Sequence, residues 1–222
     1  TLPSGEFTFT FDNMDNKYNL LNPDSLYRFL QAQQTIDSQW EINGERINGG
    51  KYLFYTSESD YDGMTATIKA VGYAIFLEGT TYSGGSSGTW TFNDAVSEIK
   101  SQSGLDFKVN IPTDIAARTV SKAIPENTNC REALRLFAQA AMCSAYFDRD
   151  GVLVAVDPVL GEAADEINAD NAESVSGVSI DEPVNTVELK VNDSYAQEEN
   201  TYTAQNLEPG EAVRTKTVNN PC

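Results

Sequence analysis

The sequence contains no histidine and few basic residues: 15 Lys and Arg stand against 33 Asp and Glu, a formal net charge of −18. The missing histidine excludes Ser-His-Asp and Cys-His triads and the commonest zinc ligand. Nucleic-acid binding needs clustered Lys and Arg to neutralise phosphates, so we expect no specific binding of this kind. Any catalysis would rest on carboxylates, Lys, Tyr, Ser or Cys, and no pattern indicates a cofactor.

Cysteine is also scarce, since the chain has only Cys130, Cys143 and Cys222. The first two lie near opposite ends of one predicted helix, about 20 Å apart at roughly 1.5 Å per residue, which excludes a disulfide between them if the helix is continuous. Three cysteines do not make a disulfide framework. We therefore expect free, partly buried thiols in a protein made inside the cell.

Long apolar runs are missing as well. None approaches the roughly 18 residues that a membrane helix needs, so we expect no membrane insertion. The chain begins with Thr1 and enters a strand pattern almost at once, from which we expect a fragment whose natural N-terminus lies upstream. Its 222 residues are 40 % hydrophobic, enough to build real cores in one large or two small domains.

The firmest local pattern covers residues 127–158. Asn129 and Glu132 have the spacing of a capping box at a helix start. Five apolar residues then fall on one helical face: Leu134, Phe137, Ala138, Ala141 and Met142. Strand patterns at 144–148 and 152–157 flank Gly151, which suits a hairpin turn. We predict a helix that leads into a β-hairpin, with Leu134, Phe137 and Met142 in a domain core.

The other patterns predict an α+β protein with β-rich ends and a mixed centre. Residues 1–82 read as an antiparallel β-barrel with one short helix at 26–31 and an Asn43-Gly44 turn. Its strand patterns lie at 6–11, 35–42, 51–56 and 64–71.

A Gly- and Ser-rich linker at 83–88 follows the first barrel. Residues 89–160 then form a small α/β domain with two helices on one sheet, the first helix begun by Thr91 and Asp94 and ended by Gly104. An acidic connection at 161–182 leads to strands in 183–222. These last strands either complete the first barrel or start a second one.

Three acidic clusters offer weak candidates for chemistry. Asp148 and Asp150 resemble part of a calcium loop, but Val152 stands where an oxygen ligand is needed, which favours a hairpin turn. Glu41 and Glu45 straddle a predicted turn and could face each other as a glycosidase carboxylate pair, but in so acidic a chain such pairs arise by chance.

The third cluster, Asp12, Asp15 and Asn16, gathers oxygens in a loop and leaves weak cation binding as an alternative. A set of aromatic residues would make a sugar-binding face if it clustered on one exposed surface, although aromatics at alternate strand positions more often form the core. The set consists of Tyr18, Tyr27, Trp40, Tyr52, Tyr55, Tyr61 and Tyr73. We expect no metal site and no enzyme within this fragment.

Residues 7–36 resemble the bacteriophage tail baseplate hub family, also called prophage tail or tail-associated proteins. The family pattern is FDN-x-D-x-x-F/Y-N-x-L-N-P-x-x-L-Y-x-x-L, followed by a returning Gly-x-Y/F. The matching residues are Phe11, Asp12, Asn13, Asp15, Tyr18, Asn19, Leu21, Asn22, Pro23, Leu26, Tyr27, Leu30 and the Gly50-Lys51-Tyr52 segment. Segments 65–70, 129–151 and 217–221 are also similar. The chain departs at Asn16-Lys17-Tyr18, where the family often has Gly or Arg-Phe.

The resemblance implies a structural component of a phage, prophage or phage-like tail tip. It would be a baseplate hub, a homotrimer whose two barrels per chain form a pseudo-sixfold ring between the tail tube and the tip proteins. The α/β domain would lie at the periphery, and acidic walls would repel DNA passing through the lumen.

The expected location is the virion tail, after assembly in the bacterial host cytoplasm. Assembly residues are expected in one loop: Asp12, Asn13, Asp15, Tyr18, Asn22, Pro23 and Tyr27. Other hub relatives carry hydrolase or fibre-like regions, so a tail-tip cell-wall hydrolase or a carbohydrate-binding module is the alternative.

Overall fold

A computed structural model shows a mixed α+β chain built mostly from antiparallel sheets, which confirms the predicted fold class. The structure describes residues 2, 4–19, 22–59, 64–84, 88–122, 124–125, 127–158, 184–192 and 199–219. The acidic connection predicted at 161–182 lies outside these residues.

The N-terminal region forms a four-stranded antiparallel sheet in the order β1-β4-β3-β2. Its strands are β1 (Glu6–Asp12), β2 (Thr35–Ile42), β3 (Glu45–Ser59) and β4 (Thr65–Val71). A short 3-10 helix, Leu26–Phe29, lies between β1 and β2 as predicted. Within the described pairings β1 and β2 are the edges of this sheet, and its closure into a barrel stays a prediction.

The alternation of phenylalanine with threonine in β1 places all three Phe side chains on one face of this sheet. The rings of Phe7, Phe9 and Phe11 follow each other at 5.3 and 5.6 Å. They lie on the face where β4 has small or branched residues, because residues that pair directly across an antiparallel ladder point the same way. These β4 partners, all buried, are Ala70, Ile68 and Ala66.

The β2–β3 hairpin has the predicted two-residue turn, with Asn43 and Gly44 both at positive φ, 53° and 84°. Strand β3 begins at Glu45, well before the predicted start at residue 51. Gly49 and Gly50 form a β-bulge within it: the register shifts opposite Ser38 and Gln39, and Gly50 has a φ of 120°.

The central region carries more helices and sheets than predicted. Its elements are α1 (Tyr73–Glu78), β5 (Thr89–Thr91), α2 (Phe92–Ser103), β6 (Lys108–Asn110), α3 (Thr113–Ala116), β7 (Thr119–Ser121), α4 (Cys130–Ala140), β8 (Ser144–Phe147) and β9 (Val152–Val156). The helices α2 and α4 and the β8–β9 hairpin confirm the predictions. The strands, however, are divided between a two-stranded sheet, β5-β7, and a three-stranded sheet, β6-β9-β8.

Both long helices begin as their sequences predict. Thr91 and Asp94 form a reciprocal capping box on α2, and Gly104 ends that helix at a φ of 67°. On α4 the Glu132 N–H donates to Asn129 Oδ1 at 2.8 Å. The Glu132 carboxylate pairs with Arg135 at 2.6 Å rather than with the cap, so this box is half formed.

The far end of α4 corrects one prediction. Met142 does not join the apolar face, since it is 76 % exposed and has a φ of 54°. The N–H groups of Met142 and Cys143 donate to Gln139 and Ala138 carbonyls at 3.0 and 2.9 Å. This is a Schellman motif with Met142 as its left-handed residue, so the helical periodicity stops one residue earlier than predicted.

The main hydrophobic core lies around α2 and α4. Phe137, Leu134 and Ile99 are fully buried there. The same cluster includes Leu2 and Leu53 from the N-terminal region, so the four-stranded sheet is attached to this core. The free thiols of Cys130 and Cys143 are buried in it, as predicted, while Cys222 lies outside the described residues.

The C-terminal strands pair with one another. They are β10 (Thr186–Asn192), β11 (Glu199–Gln205) and β12 (Thr215–Asn219). The order is β11-β10-β12, with β12 parallel to β10. Their pairing favours a second β unit over completion of the first, whereas the predicted domain boundaries stay predictions.

Candidate assembly site

The predicted assembly residues run from the end of β1 through the following loop into the 3-10 helix, and Asn13 ties the loop to the residue before β4. Asn13 is 2 % exposed. Its N–H donates to the Met64 carbonyl at 2.7 Å, and its side-chain Oδ1 accepts from the Tyr18 N–H at 2.9 Å. The Tyr18 ring in turn meets Phe11 edge-on at 4.6 Å. Asn13 therefore holds the start of the loop against the sheet.

The acidic residues of the loop bond to neighbouring residues of the same loop. Asp12 Oδ1 accepts from the Met14 N–H at 2.9 Å, which forms an Asx turn. Asp15 pairs with Lys17 at 2.9 Å, and this hydrogen bond and charge hold the pKa of the Asp15 carboxyl below its ordinary value. Among the described residues no group of three or more His, Cys, Asp or Glu is placed to hold a metal ion.

Asn22 and Ser25 fold the second half of the loop back on the first. The Asn22 side chain donates to the Asn16 carbonyl at 2.9 Å and accepts from the Asp24 N–H at 3.0 Å. Ser25 Oγ donates to the Lys17 carbonyl at 2.7 Å. Pro23, between them, is exposed at the bend. The motif residues that carry the resemblance are thus mainly loop-forming residues.

Three exposed apolar residues of the loop and the 3-10 helix were not among the predicted assembly residues. Met14 is 68 % exposed, Leu26 43 % and Phe29 58 %. Residues three apart eclipse in a 3-10 helix, so Leu26 and Phe29 share one side of it. The three-residue spacing of Leu26 and Phe29 was the only sequence signal for this exposed apolar pair. Tyr27, a predicted assembly residue, lies between them in the same helix.

A second exposed apolar face lies on the β2–β3 hairpin. Trp40 pairs with Ile47 across the ladder, and Ile42 lies two residues further along the same side. Trp40 is 58 % exposed, Ile47 45 % and Ile42 56 %.

Two of the other aromatics considered above pack against neighbouring rings: Tyr52 stacks on Phe7 and Tyr73 on Phe147, both at 5.4 Å. These two rings are partly buried rather than part of an open sugar-binding face.

The two remaining acidic candidates are structural. Asp148 Oδ1 accepts from the N–H groups of Asp150 and Val152, both at 2.9 Å, which builds the predicted hairpin turn. Glu41 and Glu45 do not face each other, in line with the expectation that they form no glycosidase pair. A two-residue turn pairs Glu41 with Arg46 and Ile42 with Glu45, so the two carboxylates point to opposite faces of the hairpin.

None of the described helices has the length and apolar character that crossing a membrane requires. No family model and no curated protein matches the sequence. Three solved structures do share its architecture over nearly the whole chain.

A prophage tail protein, gp18, from Listeria monocytogenes EGD-e has a TM-score of 0.52 and 10 % identity, over 97 % of this chain and 66 % of its own. The 43 kDa tail protein of prophage MuSo2 from Shewanella oneidensis has a TM-score of 0.55 and 18 % identity, over 98 % and 64 %. A tail protein from Neisseria meningitidis MC58 has a TM-score of 0.57 and 14 % identity, over 98 % and 63 %. The chain has the fold of these tail proteins. It spans less than two thirds of the length of each.

Proposed function

We propose that this chain is a structural component of a phage or phage-like tail, at the baseplate hub between the tail tube and the tip. One observation carries the proposal. The fold matches tail proteins from three bacteria, two of them prophage proteins, over 97 to 98 % of the chain, although identity is only 10 to 18 %. The hub position rests further on the resemblance of the loop that contains Asp12, Asn13 and Asp15.

The arrangement of sheets supports a ring-forming hub. The chain carries one four-stranded and one separate three-stranded sheet, two β units that precede and follow the α/β core in the sequence. Three copies would present six such units to a sixfold tube, which is the reason for proposing a homotrimer. A net charge of −18 supports an inner wall that does not adhere to DNA. Assembly would take place in the host cytoplasm before release in the virion.

The apolar residues beside the rigid loop are the proposed contact with a neighbouring tail protein. Met14, Leu26 and Phe29 are exposed next to a backbone that Asn13 and Asn22 hold in place. A preorganised apolar surface binds with a smaller entropic cost than a loose one.

The function is tested by deleting the gene from its prophage and inspecting induced particles by electron microscopy. We expect no particle with a complete tail, and restoration by the wild-type gene. Leu26→Glu should fail to restore tails, whereas Val109→Glu, at a residue of similar exposure in β6, should restore them. Complete tails in the deletion strain would refute the structural role.

Catalysis is not part of the proposed role of this chain. On a peptidoglycan zymogram the purified chain should leave the substrate intact. A cleared band would show that a carboxylate-dependent hydrolase resides in this fragment.

A further inference from the structure

Part of the β2–β3 hairpin extends beyond the four-stranded sheet. Strand β4 pairs with β3 only from Leu53 to Ser59, whereas β2 pairs with β3 from Leu53 back to Glu45. Residues 38–50, the hairpin arm, are therefore a ribbon of two strands within the described pairings. An isolated two-stranded ribbon is marginally stable, so its position depends on what else it contacts.

The arm contacts the turn between β8 and β9 at two points. The Lys51 N–H, at the base of the arm, donates to the Arg149 carbonyl at 2.7 Å. The Asn48 side-chain Nδ2 donates to Asp150 Oδ1 at 3.0 Å. These two hydrogen bonds, the latch, join segments about one hundred residues apart in the sequence.

Glycines occupy the two sharpest backbone positions beside the latch. Gly50 has a φ of 120°, and the Arg149 carbonyl oxygen would lie 3.5 Å from a Cβ there, at ordinary contact distance. Gly151 has a φ of 72°, and a Cβ there would lie 2.7 Å from Tyr73 Cε2 of α1, too close for a real contact. A side chain at either position would strain the backbone, and at Gly151 it would also displace the Tyr73 ring.

Little of the arm is buried, because residues 39–48 are all exposed. A cavity of about 170 Å³ lies beside the latch, lined by residues of both segments that include Lys51, Tyr52, Tyr73 and Arg149. Leu53, by contrast, is only 3 % exposed and belongs to the main core. The sheet is thus anchored at Leu53, and the arm beyond it is held by hydrogen bonds.

We propose that the hairpin arm is a conformational device: it opens at the latch as a unit, while the four-stranded sheet and the α/β core stay folded. Local opening of this kind occurs where buried apolar contacts are few. The arm carries Trp40, Ile42 and Ile47 on one exposed face. The latch therefore sets the direction in which that apolar face points.

Hydrogen–deuterium exchange of the chain tests whether the arm opens at the latch. Asp150→Ala should accelerate exchange in peptides covering 39–51 by about 3- to 10-fold, the effect of one lost hydrogen bond. Asn48→Ala should accelerate it at least as much, because Asn48 Oδ1 also accepts from the Gly50 N–H at 3.0 Å within the arm. Peptides from α4 should exchange at the wild-type rate. The double variant should exchange no faster than Asn48→Ala alone, because Asn48→Ala already removes the bond that Asp150 accepts.

Two controls make the outcome decisive. Asp150→Asn keeps an oxygen acceptor for Asn48 and should exchange as the wild type does. Gln39→Ala removes an exposed polar side chain of the same arm that pairs across from Asn48 and should have no effect. Unchanged exchange in 39–51, equal acceleration in α4, additive effects or an effect of Gln39→Ala would each overturn the proposal.

Discussion

Met142 ends α4 in a left-handed conformation with a φ of 54°, although it has a side chain and lies 76 % exposed. Glycine adopts this region without the steric cost of a Cβ. Met142→Gly should therefore raise the free energy of unfolding by about 0.5 to 1 kcal/mol, while Met142→Ala should leave it nearly unchanged. Urea denaturation followed by circular dichroism measures both. Destabilisation by the glycine would show that the thioether contributes a contact.

Phe137 lies at the centre of the same helix with no exposed surface. Its ring meets Tyr82 edge-on at 5.9 Å and Trp90 at 6.3 Å. Phe137→Ala should lower the free energy of unfolding by about 3 to 5 kcal/mol, because it removes buried area and leaves a cavity. Thermal and urea unfolding measure the change, and an unaltered melting temperature would place Phe137 outside the core.

The Cys143 thiol gives the core a pH dependence. Burial raises its pKa to about 11 from an ordinary value of 9.0, while Arg118 opposes the rise. Between these values the unfolded thiol is ionised and the folded one is protonated, so the folded state binds more protons and stability falls as pH rises.

Cys143→Ala should accordingly show a smaller loss of unfolding free energy between pH 9 and about 11 than the wild type. Urea unfolding at the two ends of this window measures the two slopes. Parallel slopes would mean that the thiol does not titrate in this range.

At the scale of elements, Asn129 is the N-cap that stabilises the start of α4. Its side chain satisfies the Glu132 N–H at 2.8 Å, one of the donors that a helix leaves unpaired at its first turn. Asn129→Ala should cost about 1 kcal/mol of stability, and Asn129→Asp should cost much less because the carboxylate accepts the same bond. Chemical denaturation compares the two, and equal losses would assign the effect to something other than the cap.

Elements with complete local signals could be predicted from the sequence. Strand β2 has the predicted bounds, Thr35–Ile42, and α2 begins at its capping box. The helices α1 and α3, of 6 and 4 residues, are too short to show a helical period. Their existence depends on tertiary packing: Ala74 and Ile115 are buried by distant parts of the chain.

The loop of the candidate site could be predicted in position but not in detail, and its role in assembly stays a prediction. The motif placed Asn13 and Asn22 in one loop, yet their hydrogen bonds to Tyr18 and Asn16 depend on how the chain folds back. The exposure of Met14 and Phe29 depends on what covers each side chain, which no local pattern specifies.

At the scale of the whole molecule, one β unit precedes the α/β core in the sequence and another follows it. The N-terminal sheet is joined to that core through Leu53, whereas β10, β11 and β12 pair among themselves. The three tail proteins share the fold over at least 97 % of the chain.

The central claim, a place at the tail tip, is tested most directly by labelling. An antibody raised against this chain, visualised with gold on intact particles induced from the strain that carries the gene, locates it by electron microscopy. We predict label at the end of the tail tube distant from the capsid. Gold label on the capsid or along the tube would contradict the account. So would the absence of label from both intact particles and disrupted tails.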